Sequence, residues 1–226
     1  MVEESVGKQE RAYALLRDRI LSGTYSPGHK LNIKTISREL GLSPMPVREA
    51  IRRLEAEGWI EYRRNHGAEV AAVDSTSASD ALTALALLEG FATALGAPFL
   101  QTHDFKRLRE MNDEIREALV GYDAVLAFHK NRAFHQAIYQ HCPNAYIQLH
   151  VESAWQRWEW MNVLPRSVFG YIPARGLASI EEHEELIVMI EGGGAAAEIE
   201  SFMREHNLRT VAAYEEVRAA SASDAA

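Results

Sequence analysis

The chain has 226 residues, 47% hydrophobic and 25% charged, with a net charge of −8, which suits one large globular domain or two small ones. A single cysteine, Cys142, excludes an internal disulfide framework. The opening MVEESVGKQE has no signal-peptide pattern and no apolar run reaches the ~18 residues of a membrane span, so the expectation is a cytoplasmic protein with no membrane partner.

The charge is unevenly placed. Residues 1–73 hold 12 Lys/Arg against 10 Asp/Glu, and residues 74–226 hold 12 against 22. A mildly basic front joined to an acidic body is one arrangement of a modular DNA binder. The short polar stretch DSTSASD, residues 74–80, reads as the linker between them.

In chain order, a first helix is expected from about Glu10 to Leu21, with Tyr13, Leu16 and Ile20 on one face. Gly23 ends it and YSPG turns the chain. Asn32 caps a second helix, Ile33 to Leu40, which Gly41 closes from the left-handed position. Ser43 caps a third helix. Pro44 then falls at its first position and Pro46 within its first turn, where a missing N–H has no intrahelical partner to lose. Val47, Ala50, Ile51 and Leu54 form its buried stripe, while Arg48 and Arg52, four apart, share the outward face. Gly58 closes the helix, WIEY alternates as a strand, RRNHG turns, and AEVAAV returns. That order is a winged helix-turn-helix, whose third helix enters the major groove so that arginine can donate to guanine O6 and N7. Pairing of Arg48 and Arg52 with Glu49 or Glu55 on a merely solvated helix is the alternative for those two side chains.

The segment LGLSPMPVREAIRRLEAEGWI is similar to the recognition segment of GntR-type bacterial transcription regulators, and the likeness runs from about Arg11 to Val73. The resemblance implies that Arg38, Ser43, Met45, Pro46, Arg48, His66 and Gly67 occupy DNA-contacting positions. Pro44 departs from the arginine that many members carry there, so operator preference at that contact should differ.

From Ser77 onward the pattern is helical, over roughly 78–96, 104–120, 122–141, 144–162, 179–191 and 195–219, which makes an antiparallel helical bundle. The fold class expected is therefore mainly α: a winged helix-turn-helix over 1–73, a linker over 74–80, an all-α bundle over 81–220 and a disordered tail over 221–226. His135, four after Asn131, and His183 and His206 on two later helices lie on inward or half-inward faces. Three imidazoles with an oxygen donor suit zinc, nickel or similar ions, although a lone inward histidine is commonly just a hydrogen-bonded core residue. Trp155 and Trp158 read as core or interface residues.

Residues 77–220 look like the FCD ligand-binding domain of the FadR-like branch of GntR regulators. That resemblance implies a divalent metal held by Asn131, His135, His183 and His206, beside a pocket for a small organic acid, in a homodimer that binds an operator in double-stranded DNA. It also implies a ligand-responsive regulator, by family analogy a repressor, and not an enzyme. Asn131 departs from the commoner aspartate. Leu85, one turn before Glu89, departs from an arginine that related domains often carry; Arg157 is then a candidate for the effector's carboxylate. A metal-dependent hydrolase, suggested by the histidines and by the pair His103–Asp104, is the alternative; Asp104 there has a sufficient role as a helix N-cap. A plain dimerisation module would account for the bundle and leave the arginines of the third helix unexplained.

Overall fold

A computed structural model describes residues 2–63, 67–72, 75–163 and 172–224. The helices are α1 (Val2–Leu21), α2 (Ile33–Leu40), α3 (Pro44–Ala56), α4 (Ser75–Gly96), α5 (Thr102–Val120), α6 (Ala124–Tyr139), α7 (Ala145–Val163), α8 (Pro173–Glu191) and α9 (Ala196–Asp224). Two strands, β1 (Ile60–Arg63) and β2 (Gly67–Val70), follow α3. The chain divides into two compact units. One holds α1–α3, the strands and the end of α7 from Glu159; the other holds the remaining helices.

In the first unit, α1 packs on α3. Tyr13, Leu16 and Ile20 of α1 and Val47, Ala50, Ile51 and Leu54 of α3 are all buried, as their spacing predicts. Each fully buried aliphatic side chain contributes about 1.5–3 kcal/mol. Arg53 lies over the Tyr13 ring, 3.6 Å from its centroid, and pairs with Glu10 at 2.8 Å, tying α3 to α1. Helix α1 starts at Val2 rather than near Glu10, because Gly7 and the polar residues before it do not interrupt the helix.

Asn32 accepts from the Thr35 amide at 3.1 Å, and Gly41 takes a left-handed φ of 64° at the end of α2. The turn into α3 is correspondingly tight. Ser43 is the N-cap residue of α3, but its side chain makes no cap hydrogen bond, so Pro44 at the first helical position carries the start. After α3, Gly58 has φ 76° and the Trp59 amide donates back to Leu54 O at 2.8 Å. β1 and β2 pair antiparallel with Ile60 opposite Val70 and Arg63 opposite Gly67. β2 is therefore shorter than AEVAAV and begins one residue earlier. On its other edge Leu31 N donates to Ala68 O and Val70 N to His29 O, so the segment after YSPG closes the sheet's second edge.

The second unit is a helical bundle in which α4 packs on α9 and α6, α5 on α6 and α8, and α8 on α9. Its core includes Leu108, Ile115, Phe134, Ile138, Ile180, Leu186, Ile187 and Met203. Gly90 lets α4 approach α9 closely: a Cβ there would lie 2.9 Å from Glu200 O. Residues 75–80, expected as a linker, are the first turns of α4, because Ser and Ala there do not oppose a helix that the apolar residues after them anchor. Helix α8 begins at Pro173 rather than 179, with proline again at a helix start, and α9 runs through the expected tail to Asp224. Asp104 is not the N-cap of α5 but lies three residues inside it, where its Oδ2 accepts from the Gln101 amide at 2.8 Å.

Ser79–Phe99 is long and apolar enough, by length and composition alone, to cross a membrane. Its one charged residue after Asp80, Glu89, is fully buried and hydrogen-bonded within the bundle, so this is the bundle's core helix.

Candidate metal centre and nucleic-acid interface

His135 on α6, His183 on α8 and His206 on α9 are 1%, 1% and 3% exposed, and one ligand atom from each lies within 4.8 Å of the others. Three helices deliver these side chains to one point because each histidine sits in the apolar stripe of its helix. Phe134 stacks on the His183 ring with centroids 4.0 Å apart, and Trp155 on α7 lies 5.1 Å from the His135 ring.

The ring nitrogens can be told apart from their partners. Asn112 on α5 donates its amide to Ile180 O at 2.9 Å, which turns its carbonyl oxygen toward His183 Nδ1 at 3.0 Å. His183 must therefore carry its proton on Nδ1 and a lone pair on Nε2. Glu89 accepts from Asn207 at Oε2, 2.9 Å away, and its Oε1 lies 2.8 Å from His135 Nδ1, which donates to it. Glu182 is clamped by two bonds from Arg175, at 3.1 and 2.5 Å, and accepts from His206 Nδ1 at 2.6 Å. Each histidine is thus held in the tautomer that leaves Nε2 as an acceptor, by a partner from a different helix for each ring.

Burial holds two of the rings, His183 and His206, in the neutral form. Burial, reinforced by the neighbouring His206, His135 and Arg175, pushes His183 well below the usual histidine value. Burial lowers His206 to about 4 against the pull of Glu182. Glu182 is raised by burial but lowered more by His206 and Arg175, which bring it down to about 2. The Nδ1 partners leave the centre with three Nε2 lone pairs that cannot hydrogen-bond one another. His135 Nε2 is buried with no hydrogen-bond partner among the described residues. An orphaned buried acceptor is costly, and a divalent cation taking three lone pairs removes that cost. The residues present fit such an ion; three nitrogens suit zinc or nickel.

Asn131, one turn before His135 on α6, is half-buried. Arg157 on α7 is half-buried, and two residues on from Trp155 places it about 200° round the helix from the ring that faces His135. The arginine beside the centre is Arg175 on α8, which donates also to Thr210 Oγ1 and His206 O. His103 is an exposed residue of the α5 start, 3.3 Å from Asp104.

Sequence reasoning missed Glu89, Asn112, Glu182 and Arg175. Glu89 had a visible signal, as the one acidic residue between Asp80 and Asp104. Asn112 had a weaker one, lying between Leu108 and Ile115 on the apolar face of α5. Glu182 faces away from its neighbour His183 and serves His206 on another helix, which no spacing within α8 reveals.

In the first unit, Arg38, Ser43, Met45, Arg48, Arg52 and Gly67 are exposed and Pro46 is half-buried. Met45, Arg48 and Arg52 share the outward face of α3, with Met45 63% exposed. Arg52 pairs with Glu49 at 3.2 Å, as the alternative reading of that face had it, whereas Arg48 has no hydrogen-bond or ion-pair partner among the described residues. Gly67 opens β2 with φ 85°. His66 lies outside the described residues. In the wing, Arg63 is held by Glu61 at 2.6 Å and by the buried Glu69 at 2.5 Å.

Residues 8–70 match the family of bacterial regulatory proteins called gntR, and residues 80–209 match the FCD domain. The chain belongs to the GntR family and carries an FCD domain. This FCD-bearing GntR protein is 27% identical over 142 residues to the HTH-type transcriptional regulator McbR of Escherichia coli, covering 63% of this chain and 64% of that one. It is 27% identical over 145 residues to a protein of Paenarthrobacter nicotinovorans described as a probable D-xylose utilization operon transcriptional repressor, covering 64% and 63%. The matches thus span under two thirds of these curated relatives. Among solved structures, E. coli McbR/YncC superposes with a TM-score of 0.71 at 22% identity, covering 92% of this chain and 97% of that one. A GntR-type protein from Rhodococcus sp. RHA1 gives 0.67 at 19%, covering 93% and 98%. These two likenesses establish the fold.

Proposed function

We propose that this GntR-family protein is a ligand-responsive DNA-binding transcription regulator, a repressor, that binds a short palindromic operator as a homodimer and releases it when a small carboxylate occupies the histidine centre. The observation that carries the reading is the pairing of an exposed arginine-bearing face on α3 with a buried, tautomer-locked cluster of three metal-ready imidazoles in the other unit. The relative described as a repressor supports the direction of control.

Arg48, and Arg52 once it leaves Glu49, read base edges in the major groove; Arg38, Ser43, Met45 and Pro46 line the same contact, and Gly67 with His66 forms the wing's approach. His135, His183 and His206 hold a divalent ion through Nε2, with the Asn131 carbonyl oxygen as fourth donor. When bound, the ion would supply a positive charge that attracts an anionic oxygen. Glu89, Asn112 and Glu182 keep the three imidazoles oriented, and Trp155 walls the His135 side. Arg175 is engaged by Glu182 and Arg157 turns from the Trp155 face, so we place the effector's charge against the ion rather than on Arg157.

The second copy docks on the outward face of α4. Leu87 and Phe91 there are 57% and 52% exposed, and the same patch on a second copy would cover them in a two-fold dimer. Two copies then present two α3 helices to the half-sites of a palindrome. An effector switches the protein only if it binds the DNA-free and DNA-bound arrangements with different affinity.

A mobility-shift assay on the protein's own upstream region, with metal-loaded protein, tests the reading. The expected result is a sequence-specific, salt-sensitive shift that carboxylates reverse. No specific shift at low salt sinks DNA regulation. A metal-free preparation that rejects zinc and nickel sinks the metal centre.

A further inference from the structure

The geometry points to Ser179 as a ligand-binding residue: its hydroxyl donates a hydrogen bond to the oxygen of an anion held at the three-histidine centre. This rests on the metal reading above and adds a residue to it.

Ser179 lies one turn before His183 on α8 and is 9% exposed. Side chains four apart on a helix stand one above the other, so the hydroxyl lies along the His183 ring. Its Oγ is 3.4 Å from His183 Nε2, the nitrogen that faces the cluster. Because the Asn112 carbonyl fixes the ring proton on Nδ1, that nitrogen can only accept, and Ser179 can only donate to it. A cation bound at Nε2 takes the same lone pair. The Ser179 hydroxyl then loses its acceptor while remaining buried at the edge of the coordination sphere, and a buried hydroxyl without a partner is unfavourable.

The surrounding charges select what replaces it. The proposed donors, three imidazoles and the Asn131 amide, are all neutral, so the ion's charge is uncompensated by its own ligands. Glu89 is committed to His135 and Asn207, and Glu182 to His206, Arg175 and Arg209. Arg175 in turn is committed to Glu182, Thr210 and the His206 carbonyl. A small carboxylate satisfies both needs: one oxygen goes to the ion and the other accepts from Ser179. A serine hydroxyl in a helix can instead back-bond to the carbonyl one turn earlier, so the test must separate ligand binding from a purely structural role.

The experiment uses the full-length protein, wild type and Ser179→Ala, loaded with cobalt(II) or zinc. Metal affinity is read by chelator competition, carboxylate affinity by titrating acetate and citrate against the cobalt absorption spectrum and by calorimetry, and folding by thermal melting. The expected result is metal affinity within about threefold of wild type, an unchanged melting temperature, and carboxylate affinity about tenfold weaker. Unchanged carboxylate affinity in the metal-loaded variant overturns the role of Ser179 and leaves the metal centre standing. A matched fall in metal affinity and melting temperature also overturns it, making Ser179 structural. Wild-type protein that takes up no metal overturns the metal reading itself.

Discussion

Replacing Glu89 by glutamine should weaken metal binding without unfolding the bundle. Glu89 is fully buried and faces two donors, His135 Nδ1–H at 2.8 Å and the Asn207 amide at 2.9 Å. A carboxylate accepts from both, whereas a glutamine amide offers one acceptor and one NH2 group. Two relaxations are open. If Asn207 flips its amide, every bond is remade and only the basicity lent to His135 by a full charge is lost. If instead the His135 proton moves to Nε2, the lone pair meant for the ion disappears. Loss of such a supporting partner costs ten- to hundredfold in metal affinity, about 1.4–2.7 kcal/mol, with the flip at the lower end and the tautomer change at the upper. Competition with a chromophoric zinc chelator measures the difference, and melting of the metal-free proteins controls for folding. Wild-type zinc affinity in Glu89→Gln would refute the argument that these carboxylates set the tautomers.

Four further outcomes are expected. Arg48→Ala should cost about 1–3 kcal/mol of operator binding and relax selectivity at one base pair, read by mobility shift on a panel of single-base operator variants; an equal loss on all sequences means Arg48 touches phosphate. Gly90→Ala should lower stability by about 1–3 kcal/mol in denaturant unfolding, because the added methyl meets the Glu200 carbonyl at 2.9 Å; no loss would show that α4 and α9 can part freely. In metal-free protein, His206 is lowered by burial to about 4 from about 6.5 in the unfolded chain, so the unfolded state binds the proton first as pH falls. Its contribution is therefore fully present above about pH 6.5 and lost as pH drops toward 4; a melting temperature flat over that window contradicts it. Phe91→Glu should turn a dimer into a monomer in analytical ultracentrifugation, and an unshifted sedimentation coefficient would place the second copy elsewhere.

Local signals carried much of this structure. Asn32 before an apolar-periodic run, glycine at 41 and paired prolines after Ser43 specify short-range geometry, and α2 and α3 end and begin as those residues dictate. The three histidines were legible for the same reason, each lying in the apolar stripe of its own helix. What lay beyond reach depends on contacts between helices distant in sequence. The Glu89–His135 bond joins residues 46 apart and the Asn207–Glu89 bond residues 118 apart, and periodicity within a helix says nothing about which helix will face it. The start of α8 is less legible: Pro173 opens it as Pro44 opens α3, but its buried stripe begins only at Ser179 and Ile180. The missed apolar length of α4 has a different cause: a buried charge satisfied by its neighbours breaks a sequence run without breaking a hydrophobic core.

The centre draws its three donors from α6, α8 and α9, and their supports from α4, α5 and α8. An ion there is therefore a cross-link among five helices, absent from the unfolded chain, and its binding energy becomes folding energy. At a free concentration one hundred times its dissociation constant, such an ion adds about 2.7 kcal/mol to the stability of the bundle. Chelation should accordingly lower the midpoint of unfolding, and the protein's persistence in a cell becomes a function of metal supply as well as of effector.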